Sequence, residues 1–218
     1  MIDLTTIYHL LLGRYGERNW WPADSPFEVA VGAILTQNTN WNNVEKAISN
    51  LRSANALSCI AICDLSRPKL EDLIRPSGFF RQKADRLQLF CCYLRDNYQA
   101  RLEKLLQQPL QPLREELLAQ KGIGPETADS ILLYAGSHPY FVVDAYTSRL
   151  LSRLGLLNGK EKYAEIRDFF MAQLPSDCAL YNEYHALIVI HCKEHCRKRP
   201  DCMGCPLASA CKYWQQKP

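Results

Sequence analysis

The sequence predicts an all-α protein, on three observations. Apolar residues recur at helical spacing almost throughout the 218 positions, Pro and Gly punctuate the joins, and no strand–turn–strand pattern is present. The first clear helix runs over 27–38 and is entered through Ser25–Pro26, a side-chain acceptor followed by a residue whose fixed φ suits the first turn. Helical periodicity continues over 41–50, 66–75, 81–98, 100–108, 113–120, 125–136, 145–153, 159–172 and 179–195. Breaks fall at Pro68, Pro76–Gly78, Pro109, Pro112, Gly136, Pro139 and Gly155. No repeat or low-complexity linker divides the chain, whose length suffices for one substantial core or two small ones.

Composition narrows the function by exclusion. No apolar run approaches the roughly 20 residues that span a bilayer. The opening MIDLTTIYHLL carries neither a positive leader nor a small-residue cleavage site. These features predict a cytoplasmic protein, nucleoid-associated in a prokaryote, with no membrane partner. Net charge is only +3, yet residues from 192 onward carry six bases (Lys193, Arg197, Lys198, Arg199, Lys212, Lys217) against two acids (Glu194, Asp201). A local positive face of that kind suits a phosphate backbone.

Ten cysteines would suit a secreted disulfide framework only in a shorter chain with a secretion signal. Cys59, Cys63, Cys91, Cys92 and Cys178 lie among apolar residues and read as small core hydrophobes. The rest crowd toward the C-terminus. There Cys196, Cys202, Cys205 and Cys211 are separated by five, two and five residues in a basic loop. Four thiolates can hold tetrahedral zinc or a cubane iron–sulfur cluster, and spacing alone leaves both open.

Residues 117–130 form a helix end, a Gly-x-Gly turn and a new helix. Gly122 and Gly124 permit conformations and close approaches that a side chain would hinder. Ile123 is expected between the two helices, with Lys121 before the turn and Pro125, Glu126 and Thr127 opening the next helix. Backbone N–H groups at such a turn can hold a phosphate without reading sequence. A short apolar segment, Tyr140–Val143, then leads to Asp144, a candidate both for charge work and for capping the helix that follows. Nearer the N-terminus, Trp20, Trp21, Pro22 and Trp41 offer flat faces that can sandwich a flipped base. Between them lies ILTQNTNW with Gln37, and further on IRPSGFFRQKADRL, with Phe79 after Gly78, a core candidate at Phe80 and phosphate-contact candidates at Arg81, Lys83 and Arg86.

These segments together resemble the helix-hairpin-helix DNA glycosylases of the endonuclease III superfamily. The match is carried by KGIGPETADSILLYA followed by VVDAY and extends over about residues 5–214. The resemblance implies an endonuclease III-like two-lobed helical fold. A helical barrel domain would cover 25–144, including the hairpin at 117–130. A discontinuous domain, 1–24 plus 145–218, would carry a cluster loop at 196–211, with a cleft between the two. It further implies that Asp144 stabilises the positive sugar formed as the glycosidic bond breaks. Gln37 and Phe79 would fill the gap left by the flipped nucleotide.

The lysine that forms a Schiff base in this superfamily is replaced here by Glu126, whose carboxylate cannot form an imine. Base hydrolysis without efficient abasic-site lyase activity is therefore expected. The superfamily places a [4Fe–4S] cluster on four C-terminal cysteines. Cys202, Cys205 and Cys211 keep that spacing, while the first interval is one residue short if Cys196 is the ligand. His195 stands at the family position and Cys192 lies upstream; Cys196 is preferred because four thiolates suit a cubane.

WWP, LTQNTxW and IRPSGFF are most similar to the 3-methyladenine DNA glycosylase III branch, with two departures: Trp41 replaces a phenylalanine, and the cysteines are retained. The expected activity is monofunctional excision of alkylated purines such as 3-methyladenine from double-stranded DNA, by a monomer with no obligate protein partner. Two alternatives stand beside it. One is an endonuclease III-like glycosylase for oxidised pyrimidines or mismatched thymine with weak lyase activity; the other is a non-enzymatic DNA-damage binding protein.

Overall fold

A computed structural model describes residues 2–18 and 20–216, so Lys217, counted above among the C-terminal bases, lies outside the described residues. The helices are α1 (Leu4–Tyr15), α2 (Pro26–Leu35), α3 (Trp41–Ser53), α4 (Cys59–Asp64), α5 (Arg67–Leu73), α6 (Phe80–Tyr98) and α7 (Leu102–Leu106). They continue with α8 (Leu110–Ala119), α9 (Pro125–Ser130), α10 (Ala145–Leu154), α11 (Tyr163–Gln173), α12 (Cys178–Glu194) and α13 (Lys212–Gln215). Short 3₁₀ turns occupy Arg75–Ser77 and Ala208–Ala210, and a π-helical turn occupies Ile131–Ala135. Among the described residues there is no strand, and the all-α expectation holds.

Local chemistry explains most boundaries and most departures from expectation. Ser25 Oγ accepts from Glu28 N at 3.2 Å, with Pro26 in the first turn, so α2 begins where the sequence places it. It stops at Leu35 rather than at 38, before Asn38 takes a left-handed φ of 56°. The single helix expected over 125–136 divides into α9 and the π-helical turn. Three helices were not foreseen: α1, α4 and the four-residue α13. α1 is capped by Asp3, whose carboxylate accepts from Thr6 N at 2.7 Å, and buries Leu4, Ile7 and Leu11. α4 is only six residues long, too short for its period to stand out.

The chain forms two compact units, one of Met1–Trp20 with Pro139–Pro218 and the other of Trp21–His138. These boundaries precede the expected ones at 24/25 and 144/145. The second shift has a packing reason: Phe141 stacks on Phe170 at 3.9 Å and meets Tyr181 and Tyr184 edge-on, so the extended segment before Asp144 belongs to the core of the discontinuous unit. In that unit α1 lies on α12, and the Tyr184 hydroxyl donates to Leu4 O at 2.8 Å. In the other unit α2 is the central element. Residues 28–35 are all buried, as an all-round apolar helix requires, and Arg52 meets the one acid among them, Glu28, at 2.8 Å.

Cysteine usage differs from expectation at one place. Cys63 of α4 and Cys92 of α6 form a disulfide with Cα atoms 5.7 Å apart. Cys59 and Cys91 are buried and outside any disulfide, and Cys178 is half-buried.

Candidate active site

The hairpin is built as its sequence requires. α8 ends at Ala119, the turn follows, and Gly124 precedes α9. Gly122 has φ of 88°, and a Cβ there would lie 2.5 Å from the Arg86 side chain. Gly124 differs: its φ is ordinary, and a Cβ would meet nothing within 4 Å, so the turn is open on that side. Ile123 is buried, while Lys121, Pro125 and Glu126 are exposed. Arg114 of α8 holds the fully buried Asp129 of α9 through Nε at 2.7 Å, tying the two helices together.

Gln37 is engaged with this hairpin. Its Nε2 donates to Gly122 O at 3.0 Å and to the Thr127 hydroxyl at 2.9 Å, and its Oε1 accepts from Arg86 Nη1. Phe79 follows Gly78, is 62% exposed and adopts a left-handed φ of 45°. A bulky side chain held in that region and turned outward is a local cost that folding alone does not require. Phe80 is half-buried rather than core, with the Arg75 guanidinium over its ring at 4.6 Å. Lys83 departs most from expectation, being a buried residue rather than one that reaches phosphate.

The aromatic cluster of this unit comprises Trp21, Trp41 and Tyr134. Trp21 meets Trp41 edge-on at 4.8 Å and lies tilted against Tyr134 at 4.9 Å. The two indoles therefore touch and are not the parallel slot that a sandwich would need. Gly32 makes the close packing possible, since a Cβ there would stand 3.3 Å from Trp21 and 3.5 Å from Trp41. Trp41 Nε1 donates to Glu45 at 2.8 Å, and Pro22 is exposed. Trp20 belongs to the discontinuous unit, where Lys193 Nζ lies 5.9 Å from its ring centre. Tyr134, on the π-helical turn, was not singled out in the sequence; such turns gather at functional sites.

In the discontinuous unit Asp144 caps α10. Its Oδ1 accepts from Thr147 N at 2.8 Å and from the Thr147 hydroxyl at 2.9 Å. The other oxygen, Oδ2, faces His185 Nε2 at 3.6 Å. Burial alone would raise this carboxyl, but His185 and Thr147 outweigh it and hold the carboxyl below the usual carboxylate range. Asp144 is thus anionic at neutral pH, with one oxygen committed to the cap and the other beside an imidazole. Sequence reasoning missed His185. Its one signal was a histidine set immediately before the apolar run ALIVI at 186–190.

At the other end of α10, two arginines one turn apart hold the cysteine loop. Arg149 Nε donates to Cys196 O at 2.8 Å. Arg153 donates to Arg197 O at 2.7 Å, to Lys198 O at 3.1 Å and to Cys196 Sγ at 3.2 Å. Cys196, Cys202, Cys205 and Cys211 line one cavity of about 310 Å³, counting its open mouth, along with His191, His195, Leu150 and Leu207. His191 Nε2 lies 3.8 Å from Cys205 Sγ, and the Tyr15 hydroxyl lies 3.1 Å from His191 Nδ1. Cys196 is buried, and the thiol of Cys192 followed by Arg153 draws its own thiol toward the thiolate. Cys192 itself is buried with its sulfur 3.6 Å from Tyr146 O and does not line the cavity. Among the described residues, no three His, Cys, Asp or Glu side chains converge on a single-ion site.

A profile of the HhH-GPD superfamily, base excision DNA repair proteins, matches residues 31–176. The chain belongs to that superfamily. A provisionally named DNA repair glycosylase of Methanocaldococcus jannaschii is 50% identical over 207 residues, covering 94% of each chain. Endonuclease III of Sulfolobus acidocaldarius is 29% identical over 86% of this chain and 82% of its own. Among solved structures, an H. pylori 3-methyladenine DNA glycosylase bound to 1,N6-ethenoadenine superposes with a TM-score of 0.78 at 32% identity, covering 88% of this chain and 98% of that one. A trapped endonuclease III–DNA intermediate reaches a TM-score of 0.84 over 99% of both chains, a likeness of fold at 23% identity. This HhH-GPD protein is accordingly a DNA glycosylase with the endonuclease III-like helical fold. No described helix is long and apolar enough to cross a membrane.

Proposed function

We propose that this glycosylase excises alkylated purines such as 3-methyladenine from double-stranded DNA by base flipping and hydrolysis, leaving an abasic site. The observation that carries the reading is the cluster of Trp21, Trp41 and Tyr134 packed over Gly32. Electron-rich ring faces attract a cationic alkylated base by stacking and cation–π interaction. Trp21 and Trp41 touch edge-on, so the base stacks on an outer face or parts the rings on entry. Such a base is already a good leaving group, and an anionic Asp144 then suffices. Its carboxylate stabilises the positive sugar through Oδ2, while Oδ1 stays with the α10 cap. His185 keeps that oxygen ionised and oriented. Glu126 occupies the exposed start of α9, where a carboxylate forms no imine with the sugar, so the backbone stays intact. The hairpin grips a phosphate on its open Gly124 side; Phe79 and Gln37 enter the stack, and Gln37 exchanges its hairpin bonds for DNA.

The residues of the C-terminal cavity fit a [4Fe–4S] cluster, with Cys196, Cys202, Cys205 and Cys211 as its ligands. Four cysteines lining one cavity supply the four thiolates that a cubane cluster takes. When bound, the cluster would supply cross-links to the loop, and hydrolysis of a base needs no electron transfer from it. What the chain does there is hold α10: Arg149 and Arg153 join the loop to the helix that carries Asp144 at its other end.

The deciding assay incubates iron-loaded enzyme with methylated duplex DNA, following released bases by mass spectrometry and strand integrity before and after alkali. Release of 3-methyladenine, with breaks only after alkali, is the expected result. Release of oxidised pyrimidines or mismatched thymine instead would move the substrate to the endonuclease III-like reading. Tight binding with no base released from any duplex would leave a damage-binding protein.

A further inference from the structure

Gln37 and Phe79 lie on different segments, yet one buried side chain joins the two. Lys83 is 1% exposed, and its ammonium donates to Leu35 O at 2.9 Å and to Ser77 O at 2.6 Å. Leu35 is the last residue of α2, and Gln37 follows two residues later. Ser77 is the last residue of the 3₁₀ turn, and Phe79 follows two residues later. The same amine thus holds the carbonyl that stands two residues before each candidate inserting side chain. Both carbonyls end helical turns, where no intrahelical donor is supplied and the backbone dipole is negative, so an ammonium suits them. Beyond each carbonyl the chain enters a conformation that L-residues resist: φ is 56° at Asn38 and 45° at Phe79. Burial, with repulsion from Arg86, lowers the amine to about 8, so the position bears a cost that a methionine of similar length would avoid.

We infer that Lys83 is a positioning residue that couples the Gln37 and Phe79 segments, so that both side chains enter the DNA stack as one unit. The inference rests on the reading of those two residues as inserting. It goes beyond that reading by assigning their coordination to an amine that touches no DNA.

The test uses the full-length protein and a duplex holding an abasic-site analogue opposite 2-aminopurine, whose fluorescence rises when it is unstacked. Five proteins are compared: wild type, Lys83→Met, Lys83→Gln, the double variant Gln37→Ala/Phe79→Ala, and the triple variant that adds Lys83→Met. Lys83→Met should at least halve the fluorescence rise at saturating protein and reduce kcat on a damaged duplex roughly tenfold with little change in KM. Amide exchange should quicken in both segments together. In the Gln37→Ala/Phe79→Ala background the same change should add nothing further, since residues acting through one another are not additive. Lys83→Gln, which keeps a donor, should recover part of the signal, and it takes the place of Lys83→Met should that variant not fold.

A Lys83 variant that melts earlier but keeps the full fluorescence rise and kcat overturns the coupling and leaves the inserting residues standing. So does a loss that multiplies with that of the double variant. A double variant with unaltered fluorescence overturns the inserting reading, and the coupling with it.

Discussion

At the scale of the residue, the proposed function gives Asp144 two tasks divided between its oxygens, the cap at Oδ1 and the charge at Oδ2. An asparagine keeps an acceptor for the Thr147 amide and hydroxyl but loses the charge, and asparagine caps helices as well as aspartate does. Asp144→Asn should therefore slow base release by roughly 100-fold or more while melting within a few degrees of wild type and binding DNA normally. Single-turnover base release with parallel thermal melts checks this; unchanged release would remove Asp144 from the chemistry. Lys83 allows a prediction with a definite sign. Its amine is held at about 8, below the ordinary lysine value of 10.5. Between those values the unfolded chain binds more protons than the folded one, so folding gains as pH rises. The contribution is complete above 10.5 and lost as pH falls through 8. The unfolding free energy of wild type minus that of Lys83→Met should rise by about 3 kcal/mol across this window. Urea melts of both proteins at several pH values measure it, and a flat difference would mean that burial does not lower this amine.

Among the elements, the hairpin contains two glycines retained for different reasons. At Gly122 both a φ of 88° and the nearness of Arg86 oppose a side chain. Gly122→Ala should cost more than about 1 kcal/mol of stability and loosen the Gln37 contacts as well. At Gly124 neither obstacle exists, and Gly124→Ala should leave the melting temperature unchanged while weakening affinity for undamaged duplex, because a methyl group would stand where a phosphate approaches. Melting curves and DNA titrations of the two variants, taken together, separate turn geometry from turn access. Equal loss of stability in both would show that Gly124 is also needed for the fold.

For the whole molecule, the determining connection within the discontinuous unit is α10. Asp144 stands at its N-terminus, and Arg149 and Arg153 fasten the cysteine loop along it. Cys202→Ser should abolish iron incorporation and lower the melting midpoint by more than about 5 °C, because the loop loses its cross-links. Base release should fall with it as α10 loosens, while affinity for undamaged duplex through the hairpin of the other unit should change far less. Iron content, melting and binding measured on one preparation distinguish this from general unfolding, which would take all three together.

Much of this protein was determined by the sequence alone, because its informative residues act within short segments. Gly122 fixes a turn by its own backbone freedom, and Gly124 leaves that turn open. Asp144 sits one residue before the helix it caps, and the cysteines lie close enough in the chain to share one loop whatever surrounds it. Helical period and Pro or Gly breaks likewise revealed most helices, missing α1 and the short α4 and α13. Tertiary structure decided what depends on partners far apart in sequence. It turned Lys83 from a candidate phosphate contact into a buried clamp between two carbonyls, and it set His185 against Asp144 and Tyr134 against Trp21. It also joined Cys63 to Cys92 and moved Phe141 into the core of the discontinuous unit. Periodicity says which face of a helix is buried; only the packing of one helix on another says which residue that face meets.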